Sequence, residues 1–125
     1  MIAPPKAKRG DALVCEVLWI DRYGNVQLNI GEDDLEPFGP TVRVVTGGRS
    51  RVGHRVESYA AINVGELGLV VDSYGLVSLA VDRASAAVDL GTHAGAQITL
   101  EPSEPDDAGA PAVRVELGRR PGGPR

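Results

Sequence analysis

Aromatic side chains are scarce in this chain, with one Phe, one Trp and three Tyr in 125 residues. Any core must therefore be built from Val, Leu, Ile and Ala. Cysteine is scarcer still. Cys15, the single one, excludes an internal disulfide; with His54 and His93 set apart from it and from each other, it offers neither a metal-ligand set nor an acid–base pair. It lies in an apolar stretch and reads as a small buried residue, and the two histidines read as surface or structural groups. Positive charge is not in excess either. A net charge of −4 and a pI near 5.1 exclude the basic, aromatic-rich stripe of a nucleic-acid groove. No apolar run is long enough to cross a membrane, and 1–10 lacks the apolar stretch of a signal peptide, so the default location is cytoplasmic.

What the chain does have is turns. Sixteen Gly and nine Pro recur at short intervals between β-branched runs, which favours strands over long helices. Strands are predicted at Leu13–Ile20, Asn25–Ile30, Thr41–Val45, Arg55–Ala61, Leu67–Val71, Val77–Val81 and Gln97–Glu101. With 42% hydrophobic and 24% charged residues, the length suits one core and not two domains of usual size. The expected fold is all-β, a small antiparallel β-barrel with one short helical turn at Ala84–Val88. The barrel is assigned to 11–101, a flexible segment to 1–10, and a linker with a largely disordered tail to 102–125, in which 112–117 has the pattern of a last short strand.

Two charged clusters read as solvated surface. Arg43, Arg49, Arg51 and Arg55 flank the Thr46-Gly47-Gly48 turn and are expected at a hairpin end, with contact to a partner's acidic surface as the minority view. Glu32, Asp33, Asp34 and Glu36 lack calcium-loop spacing and read as an exposed loop.

The densest chemistry lies in Ile20-Asp21-Arg22-Tyr23-Gly24-Asn25-Val26-Gln27-Leu28-Asn29-Ile30. Gly24 permits a tight reversal and close approach of a ligand, while Asp21 and Asn25 can hydrogen-bond either the turn itself or something sitting on it. Taken alone, the segment reads first as an Asx-stabilised hairpin with Tyr23 as a lid on the core. A second segment, Gly65 to Ala87, repeats the layout of strand, polar turn and strand around Asp72-Ser73-Tyr74-Gly75. Trp19, opposite in direction to Leu18 and Ile20 on an alternating strand, belongs either under a site or at a subunit contact.

These segments resemble the C-terminal domain of the S-adenosylmethionine (SAM) hydrolases, or SAM hydroxide adenosyltransferases, and of the related SAM-dependent fluorinases and chlorinases. Their Ile-Asp-x-Phe-Gly-Asn-x-x-x-Asn-Ile signature is matched at Ile20 to Ile30, with Tyr23 in the aromatic place. Their Asn-Ser-x-Gly-x-Leu-x-Ile-Ala segment is matched at Asp72 to Ala80. The order and spacing of these two segments agree with the family's, and between them its Tyr-Ala pair followed by Gly-Glu is matched by Tyr59-Ala60 and Gly65-Glu66.

The resemblance implies a trimeric enzyme that binds SAM between the small barrel of one subunit and the larger N-terminal domain of its neighbour. Hydroxide displaces methionine at the ribose C5′, giving adenosine. The water-positioning residues belong to that N-terminal domain, so no catalytic residue, no metal site and no cofactor besides SAM as substrate is expected on this chain. The chain would serve as one half of such an enzyme, as a domain or with a separate catalytic chain. The alternative is a stand-alone adenosine- or SAM-binding module, or an oligomerisation barrel. By position, Asp21 would meet the methionine ammonium, Tyr23 the adenine face and Asn25 the adenine edge. Ser73 would donate to the methionine carboxylate, and backbone groups around Val81 and Arg83 would complete the adenine pocket. Tyr74 stands where the halogenases carry an arginine, and Asp72 stands where the family has Asn.

Overall fold

The computed structural model describes residues 7–103, so the strand expected at 112–117 lies outside the described residues. Eight strands run β1 Ala7–Arg9, β2 Ala12–Ile20, β3 Val26–Gly31, β4 Thr41–Thr46, β5 Arg49–Arg55, β6 Leu67–Val71, β7 Leu76–Val81 and β8 Gln97–Pro102. They pair in the order β1-β2-β3-β7-β6-β5-β4-β8, and a β2–β8 pairing closes the seven strands β2–β8 into a barrel. The short β1 lies within the segment expected to be flexible and pairs Ala7 with Val14.

Closure depends on the length of β2. Its first half pairs with β8, Leu13 opposite Leu100, and its second half with β3, Ile20 opposite Val26. A bulge between Val17 and Trp19 re-aims the strand and leaves Trp19 60% exposed, whereas strict alternation from Val17 would point it inward. Alternation elsewhere is clean: Leu13, Cys15 and Val17, then Val26, Leu28 and Ile30, then Val42 and Val44 face the interior. Cys15 is buried, as expected.

Antiparallel pairing holds around the barrel except at β5–β6, which is parallel, with Gly53 opposite Leu67. A parallel neighbour requires the chain to cross back outside the sheet. Residues 56–66 make that crossing, through a 3-10 turn at Tyr59–Ala61. Ile62, Val70 and Ala80 form a small second core there, with Val56 packed on it. That cover explains why β6 and β7 are buried on both faces and read as apolar runs. It also corrects the strand expected at Arg55–Ala61, where the chain instead leaves β5 and crosses over. β5 itself, Arg49 to Arg55, was not predicted.

The helical turn is α1, Ala86–Leu90, two residues later than expected because Ser85 is its N-cap and accepts from the Val88 amide. Gly91 ends it in the left-handed conformation. Arg49 and Arg51 are not simply solvated. Arg49 donates to the Val88 and Asp89 carbonyls at the end of α1, and Arg51 reaches Asp89 and the Gly65 carbonyl. Arg43 approaches Glu101 at 3.9 Å and Arg55 approaches Glu36 at 3.8 Å. The acidic run forms a 3-10 helix, Glu32–Phe38, whose Leu35 is buried against the core. His54 lies 3.9 Å from Glu66 and His93 is exposed. Among the described residues no helix is long and apolar enough to cross a membrane.

Thr46 ties α1 to the barrel. Its buried hydroxyl donates to the Leu90 carbonyl at 2.7 Å. Thr46→Val keeps the shape and deletes the donor, so a loss of about 1–2 kcal/mol is expected. Urea denaturation checks it, and an unchanged midpoint would refute the link.

Candidate functional site

Asp-x-Tyr-Gly occurs twice, and both copies build the same turn. At 21–25, between β2 and β3, the Asp21 amide donates to the Asn25 carbonyl at 3.1 Å and the Gly24 amide to the Asp21 carbonyl at 2.9 Å. Asp21 Oδ1 accepts from the Tyr23 and Asn25 amides at 2.9 and 3.0 Å, and Oδ2 from the Asn25 side-chain amide at 3.0 Å. At 72–76, between β6 and β7, the Asp72 amide donates to the Leu76 carbonyl and the Gly75 amide to the Asp72 carbonyl. Asp72 Oδ1 accepts from the Tyr74 and Leu76 amides. Gly24 and Gly75 take φ of 85° and 79°, a region open to glycine. In both turns the aspartate holds the backbone and the tyrosine is thrown outward.

The second turn is stitched to the first hairpin. Asp72 Oδ2 accepts from Gln27 Nε2 at 2.9 Å and from Ser78 Oγ at 3.0 Å, residues placed opposite one another by the β3–β7 register. Partial burial pushes the Asp72 carboxyl up, but bonds from Gln27, Leu76, Tyr74 and Ser78 outweigh it and hold the group below its ordinary value. It stays ionised at neutral pH.

All seven residues predicted for the site sit around one stretch of surface. Asp21, Tyr23, Asn25, Val81 and Arg83 line a groove of about 380 Å³. Ser73 and Tyr74 line an adjoining one of about 290 Å³, and Asp21, Asn25 and Tyr59 belong to both. Arg83 has φ of 58°, the one non-glycine residue in the left-handed region among those described. Such strain is typically kept where a local geometry is needed. Arg22 lies 5.3 Å from the Tyr23 ring centre and donates to its hydroxyl at 3.3 Å, which props the ring at the groove edge.

Sequence reasoning did not assign Tyr59, Gln27 or Ser78 to the site. Tyr59 was visible in the Tyr59-Ala60 pair but carried no role; the crossover brings it over both parts of the groove. Trp19, read as under a site or at a subunit contact, lines the Tyr74 end. Four of the chain's five aromatic residues therefore border this groove, and Phe38 alone packs on the core. Trp19, Tyr23, Tyr59 and Tyr74 are all more than two-fifths exposed. Exposed rings gathered along one stretch of surface make it a candidate contact site.

A larger cavity, about 640 Å³, lies elsewhere, between the Glu32–Phe38 helix and the end of β5. Apolar walls, three glutamates and Arg55 line it, and neither turn reaches it. The aromatic groove is the better candidate because two repeated turns and four rings converge there.

Comparison with known proteins gives the same segment a context. A family model described as the SAM hydroxide adenosyltransferase C-terminal domain matches residues 15–99. The chain is 36% identical over 90 residues to an (R)-S-adenosyl-L-methionine hydrolase of Salinispora tropica, covering 72% of this chain and 33% of that protein. The chain thus spans about a third of the length of that curated relative. Among solved structures, an uncharacterised conserved protein from Thermotoga maritima aligns with a TM-score of 0.73 at 26% identity, over 81% of this chain and 40% of its own. A conserved hypothetical protein from Thermus thermophilus aligns with a TM-score of 0.52 at 28% identity, over 70% and 34%.

Proposed function

Because the chain belongs to the SAM hydroxide adenosyltransferase C-terminal domain family, we propose that it supplies the adenine- and methionine-binding half of a SAM-hydrolysing site in the cytoplasm. The observation that carries this reading is the convergence of both Asp-x-Tyr-Gly turns and four of five aromatic residues on one groove. Tyr23 and Tyr59 offer ring faces to the purine. Stacking suits it because every base has a π-face, and is worth about 1–3 kcal/mol per base. Asn25 pairs with the adenine edge through its amide, and the backbone at Val81 to Arg83 closes that end. Asp21 draws the methionine ammonium while still holding its own turn. Ser73 and Tyr74 present hydroxyls to the carboxylate.

The reaction is displacement at C5′. Hydroxide oxygen forms the new bond to C5′, the C5′–S bond breaks, and its electron pair returns to sulfur as methionine leaves. The products are adenosine and methionine. The groups that position the water come from the part of the enzyme that corresponds to the two-thirds of the relative lying outside the match. The groove is completed where subunits of a trimer meet, and the domain's own contribution is binding and orientation.

Trp19, the only tryptophan, lies in the groove and reports on occupancy by fluorescence. Adenosine titrated into the protein should quench or shift its emission saturably. Tyr23→Ala is the clean test, because only the Tyr23 amide serves the turn while the residue as a whole is 66% exposed. Affinity for adenosine should fall roughly tenfold with the fold intact. Unchanged affinity in Tyr23→Ala would sink the assignment.

A further inference from the structure

Tyr59 reaches the groove from the crossover 56–66, and little of that segment is fastened down. Its ends are tied to the barrel: the Val56 amide donates to the Leu69 carbonyl at 3.1 Å, Val64 bridges to Asp82, and Arg51 donates to the Gly65 carbonyl. Of residues 57–65, Ile62 alone is buried. Its amide donates to the Tyr59 carbonyl at 3.2 Å, which couples the backbone under the ring to the seat of Ile62. The Tyr59 hydroxyl has no hydrogen-bond partner among the described residues, so the ring has no polar anchor of its own. Ile62 sits over a notch in β6 that glycine leaves open. A Cβ on Gly68 would lie 2.6 Å from Ile62 Cγ1, 2.7 Å from its Cδ1 and 3.3 Å from Val56 Cγ2. Glycine inside a strand weakens it, and often marks a place where another part of the chain comes this close. The Gly68 backbone is ordinary strand, paired with His54 and Ala80, and would carry alanine without strain but for this contact.

We infer that Gly68 is a positioning residue of the groove: by leaving room for Ile62 it fixes the crossover, and so holds the Tyr59 ring where it meets the nucleoside. The inference rests on the proposed nucleoside site and assigns what keeps its second ring in place. Gly68 lines neither part of the groove, so it acts only through what packs on it. Alanine there makes Ile62 leave its seat, and the Tyr59 backbone moves with it. A displaced ring no longer covers the purine, and its stacking is lost.

The experiment titrates adenosine into the full chain and follows Trp19 fluorescence. Gly68→Ala should bind roughly fivefold to tenfold more weakly, approaching the loss in Tyr59→Ala, which is the scale of one stacking contact. Placed in Tyr59→Ala, the same substitution should cost almost no further affinity, because the ring it acts through is gone, while its lowered urea midpoint persists. A general loosening of the fold would not show that split. Gly53→Ala is the control. Its Cβ would meet Leu69 Cδ1 at 2.4 Å inside the barrel, so it should lower the midpoint and leave adenosine affinity alone. Should Gly68→Ala not fold, Ile62→Val, which takes the Cδ1 methyl from the same contact, must lose affinity in the parent and not in Tyr59→Ala. If the parent binds adenosine and Gly68→Ala binds it equally well, or loses as much in the Tyr59→Ala background, or is matched by Gly53→Ala, the inference fails and the nucleoside site stands. If the parent does not bind adenosine, the site fails and the inference with it.

Discussion

Gly24→Ala is expected to destabilise the fold by about 3 kcal/mol or more, whereas Gly75→Ala, at the same place in the same kind of turn, should cost only about 1 kcal/mol. Both glycines take positive φ, so both substitutions incur the left-handed penalty of a residue with a Cβ. They differ in what surrounds them. A Cβ on Gly75 meets nothing within 4 Å. On Gly24 it would lie 2.0 Å from Ser85 Oγ, 2.5 Å from its Cβ and 2.8 Å from its Cα. The last is backbone and has no rotamer to escape into. Ser85 is the N-cap of α1, and the Gly24 carbonyl accepts from the Ala87 amide at 2.9 Å. Moving Ser85 away therefore gives up a helix cap, worth about 1 kcal/mol, together with that hydrogen bond. Urea denaturation of the two variants side by side is the measurement. If they fall within about 1 kcal/mol of each other, α1 does not pin the first turn in the way described.

The same contact bears on function. The turn that presents Tyr23 and Asn25 is held from below by a helix whose far end is gripped by Thr46 and Arg49. The second turn is held instead through Asp72, Gln27 and Ser78. The end of the groove lined by Tyr23 and Arg83 is thus built on the core, and the end lined by Ser73 and Tyr74 on a polar network that spans two strands.

What could be read from the sequence follows from how local each signal was. β2, β3, β4, β6, β7 and β8 were legible because apolar residues alternate or run together between turn formers. β5 was not, since Arg49-Ser50-Arg51-Val52-Gly53-His54-Arg55 offers one apolar side chain of any size, and its inward position is filled by Gly53. Pairing on both sides makes it a strand. The crossover was misread as a strand because Val56 and Tyr59 look apolar in isolation; their job is set by the parallel β5–β6 pair, which no local pattern encodes. In the site, the two turns were legible from Asp, Tyr and Gly. Tyr59 was not given a role, since only the crossover carries it to the groove, nor was the Gln27–Asp72–Ser78 network, since it depends on the β3–β7 register. The arginines at the β4–β5 hairpin looked solvated for the same reason, as the α1 partners of Arg49 lie 39 and 40 residues away in sequence.

Asp72→Ala should destabilise by about 2–3 kcal/mol, because it strands two backbone amides and the hydroxyl of the buried Ser78 at once. Asp72→Asn should stay within about 1 kcal/mol of the parent at neutral pH. Its Oδ1 can accept from the Tyr74 and Leu76 amides as before. A flip of Gln27 would then turn an acceptor towards the new amide nitrogen. The two proteins should part company in acid. The folded-state pKa of Asp72 lies below its ordinary value because its hydrogen bonds outweigh the opposing effect of burial. The stability it contributes is therefore complete above the unfolded value, near about 3.9, and is lost as pH falls through the folded one. Asparagine does not titrate there. Between pH 7 and about pH 3 the parent should lose more stability than Asp72→Asn, the remaining carboxylates being common to both. Denaturation midpoints of the pair at the two pH values decide it. Equal losses would mean that the Asp72 charge is not held by this network.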